Sequence, residues 1–168
     1  MFQIMVVEDD INARRLMQAV IEQNGYAAIP ASDGAEALAL MDKKHVDLIV
    51  LDVMMPHMDG YTLARELRSA GNNVPILMVT ARQSAKDKKE GFLAGTDDYM
   101  VKPVDEEEMM LRIAALLRRS RIVNERRLTV GSTTLDYDAH TLIDAAGEHE
   151  LPNKEFMLLY KLLSYPNH

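Results

Sequence analysis

Asp52 closes a four-residue apolar run, Leu48-Ile49-Val50-Leu51, and a second apolar run, Ile4-Met5-Val6-Val7, opens onto Glu8-Asp9-Asp10. Each pattern reads as a buried strand that delivers carboxylates to a loop crevice. Burying a carboxylate without a partner is costly. Two acidic strand ends meeting in one crevice therefore point to a divalent cation, because hard cations take oxygen ligands. Thr80 and Lys102 add a hydroxyl and an ammonium at later strand ends. Taken singly, each residue has a plainer role. Asp9 and Asp10 suit a helix N-cap, Thr80 can simply end its strand, and Lys102 before Pro103 fits an exposed loop.

These side chains need a scaffold that brings strand ends together. Short apolar strands near residues 3 to 7, 27 to 31, 46 to 51, 74 to 79 and 98 to 101 alternate with helical patterns. The first helix starts after Asp10, with Leu16, Val20 and Ile21 inward. The second follows Asp33-Gly34, with Ala37, Leu38 and Met41 inward, and the third follows Asp59-Gly60. Such alternation specifies an α/β fold with a doubly wound, five-stranded parallel sheet, whose ligands bind beyond the carboxyl ends of the strands. Glu8, Asp9, Asp52 and Thr80 all fall there.

The chain has 168 residues, no cysteine and a net charge of −7, which excludes disulfides, thiolate metal sites and a cysteine nucleophile. The acidic balance argues against non-specific nucleic-acid binding by the whole surface. No segment approaches the ~20 apolar residues of a membrane span, and the first apolar stretch is interrupted by acids, unlike a signal peptide. The expectation is a soluble, cytoplasmic protein.

Four ordered motifs carry a resemblance: Val6-Val7-Glu8-Asp9-Asp10; Leu51-Asp52-Val53-Met54-Met55-Pro56-His57-Met58-Asp59-Gly60; Thr80-Ala81-Arg82; and Asp97-Asp98-Tyr99-Met100-Val101-Lys102-Pro103. Over residues 1–120 the chain resembles the receiver domain of two-component response regulators of the OmpR/PhoB type, with a CheY/flavodoxin-like sheet of order 2-1-3-4-5. The resemblance implies that Asp52 is a phosphoacceptor served by a sensor histidine kinase. It implies Mg²⁺ held by Asp9, Asp52 and the Met54 main-chain carbonyl, with Glu8 helping through water. It further implies that Lys102 screens the phosphoryl oxygens, that Thr80 and Tyr99 form the switch, and that Met54 and Arg82 tune the lifetime of the phosphorylated state. Such residues suffice chemically, because phosphoryl transfer asks mainly for positioning and charge neutralisation.

Lys88, Asp97, Asp98, Glu108, Arg112 and Arg119 fall where this subfamily places the salt bridges of a homodimer built on the fourth helix, fifth strand and fifth helix. A two-fold dimer would pair Lys88 with Glu108, Asp98 with Arg112 and Asp97 with Arg119 across the interface. Two residues depart from the usual pattern. Thr96 replaces alanine, and Val104 replaces phenylalanine beside the expected kinase-docking face, which includes Ala13 and Leu16.

The arginine-rich stretch 118–127 ends the fifth helix and starts a linker, set here at 121–127. Beyond it, Leu128-Thr129-Val130, Thr134-Leu135-Asp136-Tyr137 and Thr141-Leu142-Ile143 are hairpin strands, with turns at Gly131-Ser132, Asp138-Ala139-His140 and Ala146-Gly147-Glu148. An apolar helix follows, capped by Asn153 and stopped by Pro166. Residues 128–168 resemble the opening of a winged-helix DNA-binding domain. They lack its recognition helix, so promoter DNA is a partner of the full-length protein only. The apolar face Phe156, Leu159, Leu163 is expected to pack on the receiver or on a neighbouring chain. Three other readings stand beside this one. They are a phosphorelay receiver without DNA output, an aspartyl-phosphate phosphatase or phosphotransferase, and a flavin-binding electron carrier. The second aspartate of such phosphatases, two residues after the first, is Met54 here, and no hydroxyl- and glycine-rich phosphate loop follows the first strand.

Overall fold

Five parallel strands lie at the centre of the first unit, residues Met1–Leu117. They are β1 (Gln3–Val7), β2 (Ala27–Ala31), β3 (Leu48–Leu51), β4 (Ile76–Thr80) and β5 (Asp98–Val101), ordered β2-β1-β3-β4-β5. The computed structural model describes residues 1–137 and 139–164, the side chains of 121–126, 128 and 164 excepted. β1, β3 and β4 are buried on both faces, which is why they read as unbroken apolar runs. Five helices follow the strands in turn: α1 (Ile11–Gln23), α2 (Gly34–Met41), α3 (Gly60–Ser69), α4 (Ala85–Ala94) and α5 (Glu106–Arg126). They cover two cores. One core joins Met5, Ile49, Leu51, Leu63, Met78 and Tyr99, and the other joins Ile4, Val50, Leu77, Val79, Met109 and Ile113.

Helix starts follow their caps. Asp10, Asp33, Asp59 and Ser84 each accept a hydrogen bond from the backbone N–H three residues on. Thus Asp10 is a cap, and the residue beside it, Asp9, is left exposed at the crevice. The inward face of α1 differs from expectation at one position: Met17 is buried while Leu16 is 54% exposed. The crossing of α1 over β1 turns position 17 inward and leaves position 16 on the surface.

The segment set aside as a linker, 121–127, carries the last turns of α5 through Arg126, and β6 (Arg127–Val130) begins directly after it. Good helix formers without glycine or proline let α5 run on. The second unit, Arg118–His168, holds an antiparallel sheet of β6, β7 (Thr133–Asp136), β8 (Thr141–Asp144) and β9 (Gly147–Glu150), followed by α6 (Asn153–Ser164). The sequence reading missed β9, because Gly147-Glu148-His149-Glu150 has no apolar alternation. Its pairing with β8, Asp144 facing Gly147 and Thr141 facing Glu150, makes it a strand. Gly147 supplies the positive φ of 128° that the turn requires. Asn153 is the first residue of α6 rather than its cap, with Phe156 N–H donating to Pro152 O. The turn residue Asp138 and the expected stop at Pro166 lie outside the described residues.

Phe156 is fully buried within this unit. Its ring stacks on His140 at 4.9 Å and meets Tyr137 edge-on at 6.1 Å. Of the apolar face expected to pack on the receiver or on a neighbouring chain, Phe156 thus meets aromatic rings of its own unit, Tyr160 at 5.9 Å among them, while Leu159 and Leu163 are half-buried.

Gly60 fixes how closely α3 approaches the acidic crevice. Its N–H donates to Val53 O at 2.9 Å, and a Cβ at this position would overlap the Asp52 carbonyl oxygen. Gly60→Ala is expected to lower stability by about 1 to 3 kcal/mol through overpacking. The urea midpoint checks this, and an unchanged midpoint would show that the Asp52 backbone gives way freely.

Candidate functional site

Glu8 and Asp52 are buried, and Asp9 beside them is exposed. One carboxylate oxygen from each lies within 4.8 Å of the other two. The neighbouring strands β1 and β3 impose this, since Val7 and Leu51 are register partners and their chains end side by side. Asp52 N–H donates to Val7 O at 3.0 Å, which continues the ladder into the crevice. Met54 N–H reaches Asp52 Oδ1 at a long 3.4 Å, so the Met54 backbone borders the carboxylate while its side chain is exposed.

Lys102 comes from the loop directly after β5 and precedes Pro103 across a cis peptide bond. Its N–H donates to Thr80 O at 2.8 Å, and its ammonium lies 3.1 Å from Glu8 Oε2 and 3.5 Å from Asp52 Oδ2. Burial alone would push the Lys102 pKa down. The Asp52 and Glu8 carboxylates outweigh that effect and hold it above its ordinary value. Glu8 is pushed up to about 7, first by burial and then by its hydrogen bond and repulsion with Asp52; Lys102 opposes the rise without cancelling it. One ammonium is thus too little for the charge gathered here.

Thr80 is fully buried at the end of β4, and its Oγ1 accepts from Arg82 N–H at 3.3 Å. Tyr99 is also buried, its hydroxyl donating to Arg82 O at 2.7 Å and its phenol pKa raised by burial. Gly91 in α4 makes room for this ring: a Cβ there would lie 3.1 Å from it. Arg82 is exposed and meets Asp87 at 3.8 Å.

Sequence reading missed two residues of this region. Tyr61, buried at the start of α3, donates its hydroxyl to Asp87 O at 3.2 Å and so ties α3 to the first turn of α4. Arg68 donates to Gly95 O, Asn72 O and Val74 O and pairs with Asp97 at 2.9 Å. An arginine in the last turn of a helix, ahead of Gly71-Asn72-Asn73, was the available signal, since such residues reach terminal carbonyls.

The charges assigned to a dimer face separate into two groups. Lys88 and Arg119 are exposed. Asp98 instead pairs within the chain, with Arg112 Nη1 2.9 Å from both its carboxylate oxygens, and Glu108 holds the same arginine at 2.9 Å. Asp97 accepts from Ile76 N–H at 2.8 Å as well as from Arg68. The packing of α5 beside β5 brings Arg112 to Asp98 without a second chain. A two-fold dimer would have to exchange that pair.

The raised Glu8 pKa has a stability sign. Between 4.5 and about 7 the folded chain holds a proton that the unfolded chain releases, so metal-free stability falls as pH rises through this window. At pH 8 in chelator, Glu8→Gln should melt above wild type, by a shift equivalent to a few kcal/mol at most. At pH 4.5 the difference should vanish. Equal melting temperatures at pH 8 would show that Lys102 already balances the cluster.

Comparison with known proteins agrees with this geometry. Residues 4–114 match the family model described as the response regulator receiver domain. The Heme response regulator HssR of Staphylococcus aureus is 37% identical over 166 residues, covering 99% of this chain and 74% of the relative. Among solved structures, the Francisella response regulator 1452 receiver domain is 35% identical with a TM-score of 0.69, over 71% of this chain and 99% of that one. The Vibrio cholerae chemotaxis protein CheY4 is 32% identical with a TM-score of 0.66, over 69% of this chain and 98% of that one. With its sheet order, its acidic crevice and a match along almost its whole length, the chain belongs to the response regulator receiver family, as a response regulator of the OmpR/PhoB type.

Proposed function

We propose that Asp52 accepts a phosphoryl group from a sensor histidine kinase and that this charge change drives an output switch. The observation that carries the reading is the Lys102 ammonium, 3.5 Å from Asp52 and 3.1 Å from Glu8, at the edge of three converging carboxylates. An Asp52 oxygen attacks phosphorus in line as the phosphorus–nitrogen bond of the donor phosphohistidine breaks. The imidazole leaves with the electron pair. Lys102 is placed to neutralise the phosphoryl oxygens as they arrive.

An all-oxygen donor set suits a hard cation, and the raised Glu8 pKa marks a crowd of negative charge that a second positive centre relieves. Glu8, Asp9, Asp52 and the Met54 carbonyl would hold Mg²⁺, which when bound offsets charge on the transferring group. The Thr80 hydroxyl accepts from Arg82 N–H and still has its own proton to donate to a phosphoryl oxygen. Drawing Thr80 inward would pull Arg82 O away from Tyr99 and release that ring. Met54 and Arg82, both exposed, flank the path of hydrolytic water. In this reading the chain is a phosphoacceptor and not a multiple-turnover enzyme.

The kinase would dock on exposed Leu16 and half-buried Ala13 and Val104. These residues rim a mainly apolar cavity of ≈ 240 Å³ beside Lys102. No helix among the described residues is long and apolar enough to cross a membrane, which accords with a cytoplasmic regulator. Homodimerisation through α4, β5 and α5, using Lys88, Asp97, Asp98, Glu108, Arg112 and Arg119, would transmit the switch. Promoter DNA would be bound by the full-length protein, as the match to a regulator of greater length supports.

Intact mass and gel filtration after incubation with Mg²⁺ and acetyl phosphate test the core of this. Wild type should gain one phosphoryl group and shift toward dimer, and Asp52→Ala should do neither; labelling of Asp52→Ala would assign the acceptor elsewhere. Lys102→Ala should separate labelling from the dimer shift. Leu16→Asp should slow transfer from the cognate kinase about tenfold or more while leaving acetyl phosphate labelling unchanged, in line with loss of an apolar anchor at an interface.

A further inference from the structure

The turn between β1 and α1 carries two of the three carboxylates and has no regular structure of its own. Its backbone is tied down at named points. Glu8 N–H donates to Ala31 O of β2 at 3.1 Å, and the Asp10 carboxylate accepts from Ala13 N–H at 2.9 Å. Between these, the Glu8 carbonyl receives Arg14 Nη1 at 2.7 Å, and the same nitrogen lies 3.5 Å from Asp9 O. Arg14 stands in the first turn of α1 and is half buried, so its guanidinium bridges the helix back to the strand end that precedes it.

We infer that Arg14 is a positioning residue for the acidic cation site, an inference that rests on the reading that Glu8, Asp9 and Asp52 hold a divalent cation. Arg14 is no ligand, since its charge repels a cation. It acts through the peptide groups. Fixing the Glu8 carbonyl fixes the peptide plane between Glu8 and Asp9, and that plane sets the direction in which both side chains leave the backbone. Asp9 depends on it most, because it is exposed and lies between two anchored neighbours. The guanidinium also offsets the negative ends of two successive carbonyls that stand beside two successive carboxylates. A planar, permanently charged fork does this with less loss of freedom than an ammonium on a flexible stem. Groups that orient the residues holding a metal alter affinity about 10- to 100-fold when removed.

The test is calorimetric titration of the whole chain with Mg²⁺ at pH 8, comparing wild type, Arg14→Lys and Arg14→Met, with thermal unfolding of each in chelator. The expected result is a Kd weakened about tenfold or more in both variants. Acetyl phosphate labelling should then recover at saturating Mg²⁺, while the chelator melting point of Arg14→Lys stays close to wild type. A lowered melting point with an unchanged Mg²⁺ Kd would make Arg14 purely structural and overturn the inference. Wild type that binds no Mg²⁺ would instead bring down the cation reading itself, a different outcome from wild type and variants binding alike.

Discussion

Everything at the top of the parallel sheet answers to one imbalance: two buried carboxylates and an exposed third converge, and one ammonium meets the buried pair. Strand register forces the imbalance, since β1 and β3 end side by side and each continues into an acid. In a medium that solvates charge poorly, like charges so placed raise one another's proton affinity, and Glu8 shows that effect. The resting fold tolerates the cluster through a partial proton and Lys102. A site held in this state would gain from further positive charge, which is the physical basis of the cation proposed for the crevice.

The sheet and its order were legible because α/β folds bury their central strands on both faces, leaving long apolar runs that punctuation by Gly and Asp delimits. Asp52, Glu8, Thr80 and Lys102 were legible for the same reason: each follows such a run. What escaped were residues whose roles depend on long side chains crossing between elements. Arg68 is a surface-type residue by composition, yet its guanidinium satisfies carbonyls from three separate positions. Tyr61 reads as core packing, and its hydroxyl contact with Asp87 lies 26 positions away in sequence. β9 escaped for the opposite reason. Its residues have no strand signal, and pairing with β8 alone makes them extended.

The charged face on α4, β5 and α5 shows why motif position underdetermines contact. Residue types there match an intermolecular pattern, but Asp98 and Arg112 find each other inside one chain, one guanidinium nitrogen lying 2.9 Å from both carboxylate oxygens. Asp97 serves the fold as well, accepting from the first amide of β4. Partly exposed pairs of this kind are worth little individually. An exchange of partners across an interface would therefore be nearly neutral in energy, and apolar contact, such as the exposed Leu93, would decide whether chains associate.

Gly91 stands in the last turn of α4, and glycine within a helix weakens it by roughly 1 kcal/mol relative to alanine. The vacancy at its Cβ admits the Tyr99 ring. The ends of α4 are secured, by a reciprocal Ser84–Asp87 cap at one and a left-handed Gly95 at the other. The same missing methyl group that seats the tyrosine also weakens the helical turn beside it, so ring packing and local helix stability are set together by one residue.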